Sequence, residues 1–471
     1  MSRGTARLGL ADREAVLDHA AELILAAWQS FDQARPGQPA VDPAVRDLLL
    51  GPLPEHPSDP LESLDDVARV LDTSLAQSRP RFFAYVGSSG LEIGVLGDAL
   101  MASYDVNVAL AAGGADLLER QVLAWVSELV GFGSGHGILT SGGMIANLSA
   151  LAAARERALP GARVEGLGAR RATLLCSSEA HGSVQRAAEI LGIGSAKVHA
   201  IPVDDRGCMD VAACAATLDA DRAAASVPVA VVATAGTTLT GAVDDIAALA
   251  DLCARHGVWL HVDGAYGLPA ASTATAGTRF DGLARADSAT VDAHKWLFVP
   301  KACSVLLVRD PAGLRSAFAH DGAYLQPNPG GGAHPVDSTL EYSRPLRALK
   351  LWLALRVHGA TAVRGAIEAN LAQARLLASI VSENPALELL TEPQLSTVCF
   401  RHLLEDGDDP ATDDHNERLA RAIQAGGEIY LASAAIAGRT WLRACFVNHR
   451  TTDDDVRAIA PVVARTAASL G

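Results

Sequence analysis

No cysteine pair at metal or redox spacing occurs in these 471 residues. The seven cysteines, Cys176, Cys208, Cys214, Cys253, Cys303, Cys399 and Cys445, are scattered with no Cys-x-x-Cys among them. That argues against a disulfide framework and a thiolate metal site, and predicts reduced thiols in a cytoplasmic protein with no metal. Positive charge is also scarce: 39 Lys and Arg stand against 54 Asp and Glu, a net charge of −15, which argues against nucleic acid or an anionic membrane as a partner. No apolar run approaches the ~18 residues of a membrane span. The acidic and polar residues of Asp12–Ser30 do not suit the apolar core of a secretion signal. What is plentiful is hydrophobic material, 49 % of the chain, enough for one large core with appendages or for two or three domains.

The pattern changes along the chain. Residues 1–80 carry amphipathic helical spacing broken by the proline-rich Gly51–Pro60, with few strand signals, and predict a helical N-terminal arm. From Phe82 onward, short Val/Ile/Leu runs alternate with Ala-rich helical stretches. The runs Thr173–Cys176, Val198–Ile201, Val227–Thr234, Val258–Val262, Ser288–Val291 and Ser304–Val308 are candidate buried strands. Ser183–Leu191, Met209–Leu218 and Ile246–His256 are candidate helices between them. This alternation predicts an α/β fold with a mainly parallel sheet covered on both faces, over residues 81–355. The loops after the strands then line one functional edge. Arg347–Gly359 has the spacing of a connecting helix. Residues 356–471, with short strands at Leu395–Arg401 and Thr440–Phe446, suit a smaller α+β domain.

Four segments carry chemistry. Ser288–Val299 holds His294 and Lys295 just past a short β-branched strand. A lysine partly desolvated against an aromatic there offers a free amine, able to form a Schiff base with an aldehyde. Gly137–Arg155 runs Thr-Ser-Gly-Gly into an Ala/Leu helix, so Ser141, Gly142, Gly143 and Met144 present backbone N–H groups suited to a phosphate. Trp259–Gly267 ends an apolar strand on Asp263, which needs a charged or hydrogen-bonding partner; a protonated pyridine nitrogen is one, and a helix cap is another. Gly264 and Ala265 leave room for a flat ring. In Cys176–Gly192, His181 falls between a strand and a helix on the same edge.

Taken in order, these segments closely resemble the group II pyridoxal-phosphate decarboxylases, a family that includes aromatic-amino-acid, glutamate and histidine decarboxylases. Ser177-Ser-Glu-Ala-His-Gly-Ser-Val184 is similar to the family's strand ending in a ring-stacking histidine, which implies that role for His181. Ala233-Thr-Ala-Gly-Thr-Thr238 is similar to its turn near the cofactor, with Thr234 closest. His261-Val-Asp-Gly-Ala-Tyr266 implies Asp263 as the partner of the pyridine nitrogen and Ala265 beneath the ring. Asp292-Ala-His-Lys-Trp-Leu297 implies Lys295 as the cofactor lysine, with Asp292 and His294 beside it and His294 near the phosphate. The likeness extends through Arg79–Tyr85 and Ser343–Trp352, covering most of residues 79–360. It departs at Met144, where the family often has Ser or Thr, and at Val86–Ser89 and Asn107–Gly114, which carry fewer rings than aromatic-selective relatives.

The resemblance implies a fold-type-I pyridoxal 5'-phosphate enzyme, a carboxy-lyase that converts an L-amino acid to its amine and CO2 through a Schiff base and a quinonoid. It also implies a homodimer with interface active sites, the N-terminal arm wrapping the partner. Tyr324, in Asp321-Gly-Ala-Tyr-Leu325, is similar to the family's mobile-loop tyrosine and is the expected proton donor to the α-carbon. It stands just before the Gly/Pro-rich 326–335. Two alternatives remain. A decarboxylating aldehyde synthase typically lacks the loop tyrosine or the stacking histidine, and both Tyr324 and His181 are present. A non-catalytic binding subunit has no need of Lys295, Asp263 and His181 together.

Overall fold

The computed structural model describes residues 8–37, 40–75, 77–87, 89–110, 112–320, 334–405 and 408–470. Its centre is a seven-stranded sheet of β1 (Gly137–Thr140), β2 (Ala172–Ser177), β3 (Val198–Ile201), β4 (Val227–Thr234), β5 (Trp259–Asp263), β6 (Ser288–Val291) and β7 (Ser304–Val308). The order across the sheet is β1-β7-β6-β5-β4-β2-β3. The pairs β2–β3, β2–β4, β4–β5 and β5–β6 are parallel, and β7 runs antiparallel to both β6 and β1. Side chains alternate between faces along each strand. Leu139, Val231, Val262, Val305 and Leu307 enter one apolar core, whereas Ile138, Val232, Leu306 and Val308 enter another. Two dry faces explain why the strands read as unbroken apolar runs.

Strand β1 was not among the expected strands, because its four residues were absorbed into the turn that follows. The helix expected at Met209–Leu218 begins only at Val211, capped by the Asp210 side chain, and runs to Ala223. The connecting helix does not stop at Gly359: Ala348–Ser382 continues 35 residues across a non-helical Gly359 at φ 76° and ψ 156°. A glycine takes that positive φ without the Cβ penalty. Past the kink, Val363, Ile367, Leu371, Ala374 and Leu377 keep the apolar stripe going, so packing resumes the helix where propensity would end it.

A second sheet, β8 (Leu387–Leu389), β9 (Thr397–His402), β10 (Ala432–Ile436) and β11 (Arg439–Cys445), is antiparallel in the order β10-β11-β9-β8. Its core draws in Phe83 from far upstream, beside Phe400, Leu442 and Phe446. Backbone bonds from Phe83 N to Tyr430 O (2.9 Å) and from Cys445 N to Phe83 O (2.8 Å) hold that segment in place. Near the N-terminus the helices Leu10–Phe31 and Pro60–Asp72 pack together, yet Leu17 and Leu71 stay 70 % and 64 % exposed. No helix among the described residues is long and apolar enough to cross a membrane.

Candidate active site

Register brings the key strand ends together. Thr234 on β4 pairs with Asp263 on β5, and Asp263 pairs with Thr290 on β6. Asp263 is buried, so its carboxylate needs donors. Asn147 Nδ2 gives one to Oδ2 at 2.8 Å, and the Ala265 N–H gives one to Oδ1 at 3.2 Å. The Asp263 carboxylate therefore binds within its own turn but does not cap a helix.

Just past β6, Asp292 receives the ammonium of Lys295 at 3.0 Å and the hydroxyl of Ser304. Lys295 lies in a one-turn helix, Ala293–Trp296, with its side chain a quarter exposed. The expectation of an amine set against an aromatic is corrected here: its partner is a carboxylate. Trp296 is fully buried, stacks on Tyr266 at 5.2 Å, and donates to Asn370 Oδ1 at 3.0 Å. That anchor fixes the turn from which Lys295 projects. His294 keeps Nδ1 at 2.8 Å from Cys303 O and Nε2 at 3.8 Å from Asp292. Burial pushes its pKa down, against the opposing pull of Asp292.

The Ser141–Gly142–Gly143 turn joins β1 to the helix Gly143–Ala158 and meets the same place. A Cβ on Gly143 would stand 3.0 Å from both Asp292 oxygens and 3.1 Å from Ala265 Cβ. A side chain here would press on Asp292 and Ala265, so glycine suits so close an approach. A Cβ on Gly142 would lie 4.0 Å from His294 Cε1, so the turn and this histidine are neighbours. Met144 is half-buried in the first helical turn, where the backbone N–H groups lack intrahelical partners.

Thr234 donates its backbone N–H to Asp244 Oδ2 at 2.7 Å, while its buried hydroxyl has no hydrogen-bond partner among the described residues. His181 is exposed, and its Nδ1 accepts from Ser183 N at 3.2 Å. The structure thus gathers Ser141, Gly142, Gly143, Thr234, Asp263, Ala265, Asp292, His294 and Lys295 at one edge, with His181 on the adjoining loop. Tyr324 lies outside the described residues, as does most of 326–335.

Sequence reasoning missed three groups. Asn147 ties the helix Gly143–Ala158 to Asp263, and its only signal was a lone amide in an Ala/Leu helix. Asp244 is buried and accepts from Thr234 N and Met209 N, both at 2.7 Å; burial pushes its pKa up to about 6 despite those two donors. Arg443 is buried with no carboxylate partner among the described residues. It donates to Ala84 O (2.6 Å) and Leu239 O (3.2 Å) and leaves Nη2 unpartnered, a donor set suited to an anion.

The groups present fit pyridoxal 5'-phosphate: an amine for its aldehyde, a buried carboxylate for its ring nitrogen, an unpartnered threonine hydroxyl, and a glycine turn opening a helix for its phosphate. Fold and site together define a fold-type-I pyridoxal-phosphate enzyme. The model of the pyridoxal-dependent decarboxylase conserved domain matches residues 45–403. The chain is 31 % identical over 462 residues to an aromatic-L-amino-acid decarboxylase of Bacillus atrophaeus, covering 96 % of this chain and 93 % of that one. It is 28 % identical over 440 residues to a phenylacetaldehyde synthase of Arabidopsis thaliana, covering 90 % and 88 %. A crystal structure of Oryza sativa TDC with PLP and tryptamine superposes with a TM-score of 0.93 at 25 % identity, covering 99 % of this chain and all of that one. The chain belongs to the pyridoxal-phosphate-dependent decarboxylase family and is a carboxy-lyase with pyridoxal 5'-phosphate as cofactor.

Proposed function

We propose that this enzyme removes the α-carboxyl group of an L-amino acid and releases the corresponding amine. The observation that carries the reading is the convergence of Lys295 and buried Asp263 on one sheet edge, beside a glycine turn that packs closely on Asp292 and Ala265. When bound, pyridoxal phosphate accepts the electron pair left at the α-carbon as CO2 departs. Lys295 would hold the cofactor through its aldehyde carbon until a substrate amine takes its place. Asp263 keeps the proton on the ring nitrogen. His181 and Ala265 would hold the two faces of the ring, with Thr234 beside it. Ser141, Gly142, Gly143 and Met144, with His294 and Asp292 alongside, hold the phosphate end. Together these groups would orient the scissile carboxylate and limit water around it. Tyr324 delivers the proton to the α-carbon.

Retention of both His181 and Tyr324 favours the amine over the aldehyde product, although similarity extends to an aldehyde synthase. The exposed Leu17 and Leu71 on the packed N-terminal helices support an arm (1–80) that covers a second copy, beside a cofactor-binding part (81–355) and a small C-terminal part (356–471). The scattered buried thiols suit a cytoplasmic homodimer. The test is Lys295→Ala: amine formation and the borohydride-trapped cofactor adduct should both vanish. Full turnover in that variant would refute the assignment.

A further inference from the structure

Behind Asp263 lies a set of buried side chains whose protons are all assignable. Asp263 is taken as the carboxylate, an acceptor only, so the group of Asn147 facing Oδ2 at 2.8 Å is its NH2. The second N–H of that amide goes to Ser183 Oγ at 2.9 Å. Asn147 Oδ1 must then accept, and it does so from Thr290 Oγ1 at 2.7 Å and His261 Nε2 at 3.0 Å. His261 is fully buried, and burial pushes its pKa down to about 4, so it is neutral with its single proton on Nε2. Its Nδ1 accepts from Ser288 Oγ at 2.8 Å, and Ser288 Oγ in turn accepts from Trp259 Nε1 at 2.8 Å. A flipped amide would set its oxygen against a carboxylate oxygen, two acceptors with no proton between them. The amide therefore has one orientation.

We propose that Asn147 is a positioning residue for Asp263: its amide, locked by His261 and Thr290, holds Oδ2 and leaves a lone pair of Oδ1 for the cofactor's ring N–H. The inference rests on the reading that Asp263 faces the ring nitrogen. Asn147 sits one turn into the helix that begins at the glycine turn, so one rigid element sets both the phosphate end and the nitrogen end of the site. The titratable groups facing it are Asp263 and His261 from β5. Ser183 and Thr290, from the helix after β2 and from β6, carry no charge.

The holoenzyme and three variants decide the matter, through the cofactor dissociation constant, the absorption spectrum of the bound cofactor, and kcat and KM, each from pH 6 to 8.5. In Asn147→Asp two carboxylates face each other at high pH. Cofactor affinity and kcat should fall about 10–100-fold, as when an outer-shell partner of a bound group is removed, with KM less affected. On acidification the introduced carboxyl gains a proton and its O–H donates to Asp263, so both quantities should recover along a limb that the wild type lacks. His261→Gln keeps an N–H for Asn147 Oδ1 and should retain function, whereas His261→Leu frees the amide and should not. This pair still decides if Asn147→Asp fails to fold. Tracking of wild type by Asn147→Asp at every pH, a loss without acid recovery, or equal behaviour of the two His261 variants would each overturn the proposal. A silent Asn147→Asp beside an inactive Asp263→Asn sinks only the positioning role. An active Lys295→Ala sinks the functional reading beneath it.

Discussion

Replacing Asp244 with asparagine tests how the end of β4 is held. Asp244 is nearly fully buried, and burial pushes its pKa from 3.8 to about 6 although Thr234 N and Met209 N both donate to it. A carboxyl whose folded pKa is raised binds its proton more tightly in the folded than in the unfolded chain. Its contribution therefore favours folding at acid pH and is lost as pH rises from about 4 through about 6. The full gap corresponds to roughly 3 kcal/mol, and the part that falls between pH 7.5 and pH 5 to roughly 1.4 kcal/mol. Asp244→Asn abolishes the titration and turns an NH2 towards one of the two backbone N–H groups. That N–H loses its acceptor at a cost of about 1–3 kcal/mol. At pH 7.5 this cost and the relieved burial of charge nearly offset, so the two proteins should unfold at similar urea concentrations. At pH 5 the wild type should be the more stable by roughly 1.4 kcal/mol relative to that baseline. Urea unfolding at both pH values, with equal cofactor saturation and followed by tryptophan fluorescence, measures the difference of differences. Parallel pH dependence in the two proteins would refute the argument.

Asp263→Asn should fold, since the new side-chain oxygen still accepts from Asn147, but should lose about 10²–10⁴-fold in kcat, the range of a missing acid–base partner, because an amide does not keep the ring proton. Turnover near the wild-type rate would exclude the assigned role. Tyr324→Phe removes only a hydroxyl, so CO2 release should persist while amine formation drops about 10²–10⁴-fold. The unprotonated α-carbon is then open to O2, and aldehyde, ammonia and hydrogen peroxide should appear alongside CO2. Unchanged amine yield in a side-by-side assay would assign the proton to another group.

Much of the large sheet was legible because its central strands β2, β5, β6 and β7 are buried on both faces. An unbroken Val/Ile/Leu run bounded by turn residues has few other uses, and β3, β4, β6 and β7 match the expected bounds. Lys295 and Asp263 stood out for the converse reason, as charged residues at the ends of such runs. Strand β1 was hidden because it runs straight into the Ser141–Gly143 turn, and the continuation past Gly359 by local propensity, which tertiary packing overrode. Asn147 was illegible because its partner lies 116 positions away, and a pairing across that span exists only once β5 and the helix Gly143–Ala158 are packed together.

The same distance argument explains why the site sits against the second sheet. Tyr266, three residues past Asp263, reaches across to Ser396 Oγ at 2.6 Å and Thr397 Oγ1 at 3.1 Å. Trp296, next to Lys295, stacks on that tyrosine and bonds Asn370, which in turn donates to Asn448 O at 3.1 Å. From the other side Arg443 of β11 grips Leu239 O, just beyond β4, and Ala84 O. The ends of β4 and β5 are thus within a few residues of a polar tether to the small sheet, and the turn after β6 is tied to the helix Ala348–Ser382. Buried polar tethers specify geometry because leaving them unmade costs more than making them gains. Lys295 and Asp263 therefore owe their separation to the docking of two sheets as much as to the register within one. A change at the seam should alter catalysis before it alters the fold.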